Sequence, residues 1–89
     1  KNYEKFNKFC ENYNLYGDGI EEEVVNFLKK KFPKEYFKAK EDLINADATE
    51  DEVPSPGSIF SYLTKSDEDV FYSLVKKWFE KNYPTDELN

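Results

Sequence analysis

Apolar residues recur at three- and four-residue steps along most of the chain, which is the spacing of the buried face of an amphipathic α-helix. The first stripe predicts a helix over residues 2–13, and its inner face comprises Tyr3, Phe6, Phe9, Cys10 and Tyr13. The run Gly17-Asp18-Gly19 then breaks the pattern, and Asp18 with Glu21 three residues later is typical of a helix N-cap. The second predicted helix ends before Pro33, and its inner face comprises Ile20, Val24, Phe27 and Leu28.

Two prolines divide the middle of the chain into a helix, a loop and a short helix. Pro33 suits the first position of a helix. This third helix is predicted to run to Ala46, and its inner face comprises Tyr36, Phe37, Lys40, Leu43 and Ile44. Residues 47–55 hold four acids and one sizeable apolar residue, so an acidic loop is predicted there. The pair Ser55-Pro56 repeats the cap-and-proline signal, and a short fourth helix is expected over residues 56–64.

The last helix has the clearest pattern. Ser66, with Asp69 three residues later, is predicted to cap a helix over residues 67–83. Its broad apolar stripe comprises Val70, Phe71, Leu74, Val75, Trp78 and Phe79. No segment alternates apolar and polar residues over more than a few positions, as a half-buried strand does. The sequence therefore predicts an all-α fold: a compact bundle of four to five short helices with an acidic loop, one domain over residues 1–84 and a frayed tail at 85–89.

Missing residue types limit the chemistry that is open to the chain. Its 89 residues include no His, no Arg and one Cys, Cys10. Because His is the commonest general base and transition-metal ligand, Ser-His, Cys-His and zinc sites are excluded. The three glycines form no phosphate-binding loop, and the carboxylate clusters fall in exposed first turns of predicted helices, which suits solvated charges better than acid–base catalysis. The sequence therefore predicts a protein that is not an enzyme and holds no cofactor or metal.

Cysteine content and hydropathy bear on the compartment in which the chain works. A single cysteine forms no intrachain disulfide, which favours a cytoplasmic setting. No window approaches the ~18 consecutive apolar residues of a membrane-spanning helix. The sequence therefore predicts a soluble cytoplasmic protein that does not bind membranes.

The net charge of −6 is concentrated in one part of the chain. Residues 41–69 contain one Lys and nine acids, whereas the remaining residues contain twelve Lys and ten acids. Such a block creates an electronegative surface that steers a basic partner toward it. It disfavours direct binding of nucleic acid, which needs a basic field. The predicted partner is therefore a basic protein surface.

Aromatic residues are the second sign of a contact surface. They make up 18% of the chain, which is more than its core needs, and the tyrosines at the rim or outside the apolar stripes are Tyr16, Tyr62, Tyr72 and Tyr83. Because Tyr is enriched at protein interfaces, a tyrosine-rich contact surface is expected. Combined with the acidic block, this predicts the following partner-binding residues: Asp47, Glu50, Asp51, Glu52, Tyr62, Asp67, Glu68, Asp69 and Tyr72.

These features favour a non-enzymatic inhibitor or immunity-type protein that docks on a basic surface of a partner, such as a nucleic-acid enzyme. An alternative is a docking or scaffold domain of a larger protein that binds a partner helix or peptide. A third is a degenerate calcium sensor, because residues 12–20 lie between two amphipathic helices and are similar to an EF-hand loop. With Gly17 at the invariant glycine, Glu23 falls at the last ligand position, but the first three ligands, Asn12, Asn14 and Tyr16, include no acid.

Overall fold

The computed structural model describes residues 2–49 and 51–83, and it confirms the all-α prediction. Its five α-helices are α1 (Tyr3–Tyr13), α2 (Ile20–Lys31), α3 (Pro33–Asn45), α4 (Pro56–Phe60) and α5 (Lys65–Asn82). Those two ranges contain no β-strand. No helix in them is both long and apolar enough to cross a membrane. The predicted tail at 85–89 lies outside the described residues.

The turn between α1 and α2 differs from the prediction in its caps and in its contribution to the core. Asn14 ends α1 in the left-handed region, at φ 52°, and its backbone N–H donates to carbonyls of the last turn. Leu15 follows and is fully buried, although it belongs to no helical stripe. The N-cap of α2 is Gly19, at φ 81°, and not Asp18, so the predicted side-chain cap is absent. Glycine suits this position because a side chain at such a φ is strained.

A single residue, Phe32, joins α2 to α3. Its backbone, at φ −130° and ψ 62°, is neither helical nor extended and ends α2, and Pro33 then begins α3 as predicted. The Phe32 side chain is buried, and its ring centroid lies 6.4 Å from that of Phe71 in α5. The corner between the two helices is therefore anchored to the core by an aromatic contact.

The buried face of α3 is narrower than predicted. Tyr36 and Ala39 are buried, but Phe37 is 56% exposed and Ile44 48% exposed. Successive helical residues point about 100° apart, so Phe37 and Ile44 turn away from the side that Tyr36 and Ala39 bury. The prediction that Phe37 and Ile44 face the core is therefore wrong. The same correction applies to Tyr3 and Val70, which lie at exposed edges of α1 and α5.

The ends of the last two helices also differ from the prediction. Helix α4 stops at Phe60, four residues early, because the chain must turn before α5 begins. The N-cap of α5 is Thr64, not Ser66: its hydroxyl accepts a hydrogen bond of 3.2 Å from the Asp67 backbone N–H. Ser55 caps α4 as predicted.

Helix α5 lies at the centre of the core. The ring centroid of its Phe71 lies 5.3 Å from that of Phe60 in α4 and 5.9 Å from that of Phe6 in α1. Helix α1 runs parallel to α5, because Phe9 contacts Tyr72 and Tyr13 contacts Phe79. Helices α2, α3 and α4 also pack against one another. No charged residue is buried in the described ranges, so hydrophobic burial stabilises the fold.

Cys10 belongs to this core. Its side chain is buried, and burial raises the pKa of the thiol to about 12. The thiol is therefore protonated at neutral pH and poorly nucleophilic, since the thiolate is the reactive form. The structure supports a packing role for this residue.

Candidate protein-binding surface

The outer side of α3 presents apolar and acidic side chains together. Phe37 and Ile44 lie seven residues apart, two turns along the same side of the helix, and both are about half exposed. Glu41 lies between them and is exposed. Exposed apolar side chains that lie together on one surface are a feature of contact surfaces, whereas single ones occur on most proteins. This side of α3 therefore has the composition expected for binding another protein.

The loop after α3 adds further carboxylates beside this helix. Asp47 adopts the left-handed region, at φ 64°, and the Ala48 backbone N–H donates to the Leu43 carbonyl at 2.9 Å. Lys40 of α3 donates a hydrogen bond to the backbone carbonyl of Glu52. These bonds fold the loop back along α3. Its side chains Asp47, Asp51, Glu52 and Val53 are all exposed there.

Tyr62, in the turn between α4 and α5, closes the other side of this surface. Its hydroxyl donates a hydrogen bond to the Asp42 carboxylate of α3, and this bond raises the pKa of the Tyr62 hydroxyl. The Lys38 ammonium lies 6.0 Å from the centroid of the Tyr62 ring. We call the whole surface the acidic face, and it comprises Phe37, Glu41, Asp42, Ile44, Asp47, Asp51, Glu52, Val53 and Tyr62.

The predicted partner-binding residues divide between two places. Asp47, Asp51, Glu52 and Tyr62 lie on the acidic face, and Glu50 lies outside the described residues. The other four belong to the start of α5, and they are Asp67, Glu68, Asp69 and Tyr72.

The Tyr72 ring packs against aromatic rings of α1 and α4 and not against α3. Its ring centroid lies 4.9 Å from that of Phe9 and 5.8 Å from that of Phe60. The Lys5 ammonium covers the ring at 4.8 Å from its centroid. Glu68 and Asp69 lie close enough to help raise the pKa of the Tyr72 hydroxyl, although burial is the main cause. Tyr72 therefore packs against the core, and Glu68 and Asp69 lie near its hydroxyl.

Three tyrosine hydroxyls make hydrogen bonds to other parts of the protein, which the sequence does not predict. Tyr16 accepts a hydrogen bond from the Gly57 backbone N–H at 3.0 Å, which ties the α1–α2 turn to the start of α4. Tyr83 donates to the Glu23 carboxylate at 2.7 Å, which ties the end of α5 to α2. Tyr62 is bound to Asp42 as described. These hydrogen bonds hold helices together. The tyrosine-rich contact surface stays a prediction.

Tyr72 differs because its hydroxyl oxygen is buried and has no hydrogen-bond partner among residues 2–49 and 51–83. A buried polar group in this state costs about 1–3 kcal/mol. We therefore expect Tyr72→Phe to raise the free energy of unfolding by about 0.5–1 kcal/mol, measured by urea denaturation.

The matched control is Tyr16→Phe, which removes a hydroxyl that is bonded to Gly57. This change is expected to lower the free energy of unfolding by about 1 kcal/mol. If both substitutions destabilise the protein equally, the Tyr72 hydroxyl has a partner and the expectation is wrong.

The segment that is similar to an EF-hand loop makes other bonds. Asn14 caps α1, the Tyr16 hydroxyl is bonded to Gly57, and Glu23 accepts from Tyr83. Within residues 2–49 and 51–83, no three His, Cys, Asp or Glu side chains are grouped in a way that could hold a metal ion.

Sequence reasoning missed Phe37 and Ile44 as surface residues. The third stripe gives no signal of this, because residues 36, 37, 40, 43 and 44 span about 120° of the helix circumference, which is an ordinary width for a buried side. Comparisons with protein-family models, curated proteins and solved structures find no match to this chain. Its function is therefore inferred from its own residues.

Proposed function

We propose that this chain is a non-enzymatic protein-binding domain whose acidic face docks on a basic surface of a partner protein. The observation that carries this proposal is the pair Phe37 and Ile44, exposed on α3 with Glu41 between them. Contact of the two apolar side chains with a partner removes them from water, which favours binding. The surrounding carboxylates supply the charge that selects a basic partner.

The two kinds of side chain have different roles in such a complex. Exposed carboxylates such as Glu41 and Asp51 act over long range, so they increase the association rate and make it dependent on salt. Phe37 acts only on contact, so it slows dissociation. If the loop acids served only solubility, neither the carboxylates nor Phe37 would affect these two rates.

The partner class that fits best is a nucleic-acid enzyme with a cationic substrate groove. The carboxylates at the end of α3 and in the following loop offer such a groove the same sign of charge as a phosphate backbone. Occupying the groove would inhibit the enzyme by excluding its substrate. We therefore propose inhibition of such an enzyme, in the cytoplasm, as the mechanism of this domain.

The test is a capture experiment from lysate of the source cells on three forms of the immobilised protein. They are the wild type, the variant E41K/D51K on the acidic face, and the matched control E11K/E80K, which reverses two exposed carboxylates on α1 and α5. We expect a basic protein that elutes at ~0.5 M salt, where the Debye length is about 4 Å. This protein should be captured by the control and lost on E41K/D51K.

Kinetics with the purified partner then tests the division of roles. E41K/D51K should slow association by about tenfold at low salt and flatten its salt dependence. Phe37→Ser should leave association nearly unchanged and speed dissociation. The proposal fails if no captured protein distinguishes E41K/D51K from E11K/E80K, or if the captured partner is acidic.

A further inference from the structure

A groove of opposite charge to the acidic face runs between α2 and α5. It has a volume of about 480 Å³. Its lining residues come from both helices, and they are Glu23, Asn26, Phe27, Lys30, Lys31, Leu74, Lys77, Trp78, Lys81 and Asn82. The two helices are antiparallel here, because Glu23 contacts Tyr83 while Phe27, four residues later, contacts Trp78.

The floor of the groove is apolar and aromatic. The rings of Phe27 and Trp78 stack with their centroids 5.7 Å apart and their planes at 29°. Both rings and Leu74 are only partly buried, so each keeps exposed area. The Lys31 ammonium lies 5.8 Å from the centroid of the Phe27 ring, so a ligand that covers this ring also meets Lys31. Burial of aromatic surface contributes strongly to binding. The floor therefore suits an apolar side chain of a partner.

The rim of the groove is basic. Four of its lining residues are lysines, two from α2 and two from α5, and they are Lys30, Lys31, Lys77 and Lys81. All four are exposed. The one lining acid, Glu23, accepts a hydrogen bond from the Tyr83 hydroxyl. In a chain with a net charge of −6, this concentration of lysines marks a local site for an anionic ligand.

We propose that this groove binds an acidic amphipathic helical segment of a partner protein. Apolar side chains of the segment cover Phe27 and Trp78, and its carboxylates pair with the lysines of the rim. The lining positions run from residue 23 to 31 on α2, which corresponds to about 12 Å at 1.5 Å per residue. That length matches two turns of a bound helix.

The charge of the whole chain favours a short acidic segment over nucleic acid. The 19 carboxylates of the chain repel a long polyanion, and the chain has no Arg to pair with phosphates bidentately. A two-turn segment needs only a few charges to match the rim. The site is separate from the acidic face, so its existence does not depend on the proposed function.

The first experiment selects binders to the full chain from a displayed library of random 12-residue peptides. We expect the binders to be acidic and to carry apolar residues three or four positions apart. A selected peptide is then synthesised and titrated while the fluorescence of Trp78 is recorded, because Trp78 is the single tryptophan of the chain. Binding over the floor should change its emission.

Two charge-reversal variants test the location of the site. K30E/K77E removes rim lysines, and the matched control K29E/K76E changes a neighbouring lysine on each of the same helices. Lys29 faces the other way, 5.3 Å from the centroid of the Tyr36 ring. We expect K30E/K77E to lower the affinity for the peptide by at least about tenfold. The control K29E/K76E should lower this affinity by less than about twofold. If K30E/K77E unfolds, K30Q/K77Q replaces it and should weaken binding in the same direction.

Several outcomes would overturn the proposal. They are a library that yields no binder, binders that are neutral or basic, and equal weakening by the rim variant and its control. A fourth is displacement of the peptide from Trp78 by a 12-nucleotide oligomer of deoxythymidine, which would assign the groove to nucleic acid. A failed capture by the acidic face would leave these results unchanged, so the two proposals are tested separately.

Discussion

Replacing Phe71 with alanine is expected to lower the free energy of unfolding by about 3–5 kcal/mol, because the change leaves a large cavity in a close-packed core. Phe71 is fully buried in α5. Its ring contacts Phe6 of α1, Phe32 at the α2–α3 corner and Phe60 of α4. One side chain of α5 therefore contacts α1, the α2–α3 corner and α4. The surrounding rings cannot close the space that it leaves without moving several helices.

A loss of this size is decisive for a domain of 89 residues, since such domains are stable by only about 5–15 kcal/mol. Urea denaturation followed by circular dichroism measures the change. The matched control is Val70→Ala, one residue earlier in α5, where the side chain is 45% exposed. It should cost less than about 0.5 kcal/mol. A loss below about 1.5 kcal/mol for Phe71→Ala would mean that the rings repack and that α5 is not the centre of the core.

The apolar stripes were sufficient to predict the helices because each helix buries one side of itself. The pattern fails where that premise fails. Helix α3 is an edge helix with an exposed outer side, so apolar residues on it need not be core residues, and Phe37 and Ile44 were misassigned. Leu15 was missed for the converse reason: it is fully buried from a turn, and a turn has no helical period.

The candidate surfaces are harder to predict than the helices, because they depend on which helices lie side by side. The acidic block at 41–69 is visible in the sequence, but its division between α3 and the start of α5 is not. The sequence does not predict the basic groove at all. Lys30 and Lys31 are explained by the dipole at the end of α2, and nothing in the sequence connects them with Lys77 and Lys81, which lie more than 40 residues later. Only antiparallel packing of α2 on α5 brings the four together.

Trp78 was expected in the core, but the structure places it, partly buried, in the floor of the groove between α2 and α5. Trp78→Ala is therefore expected to cost about 1.5–2.5 kcal/mol, less than the 3–5 kcal/mol typical of a fully buried aromatic residue. The loss comes from its packing on Phe27 and from its edge contacts with Tyr83, whose ring centroid lies 5.9 Å away.

A double-mutant cycle with Phe27→Ala isolates the stacked pair. We expect a coupling energy of about 0.5–1.5 kcal/mol between Phe27 and Trp78, measured by urea denaturation of the two single variants and the double variant. A loss above about 3 kcal/mol for Trp78→Ala would show that the ring is enclosed by the core, and the groove would then have no open aromatic floor. A loss below about 1 kcal/mol with no coupling would show that the two rings do not stack. Either result removes the floor on which an acidic helix would pack, so this stability measurement also decides whether the groove can bind one.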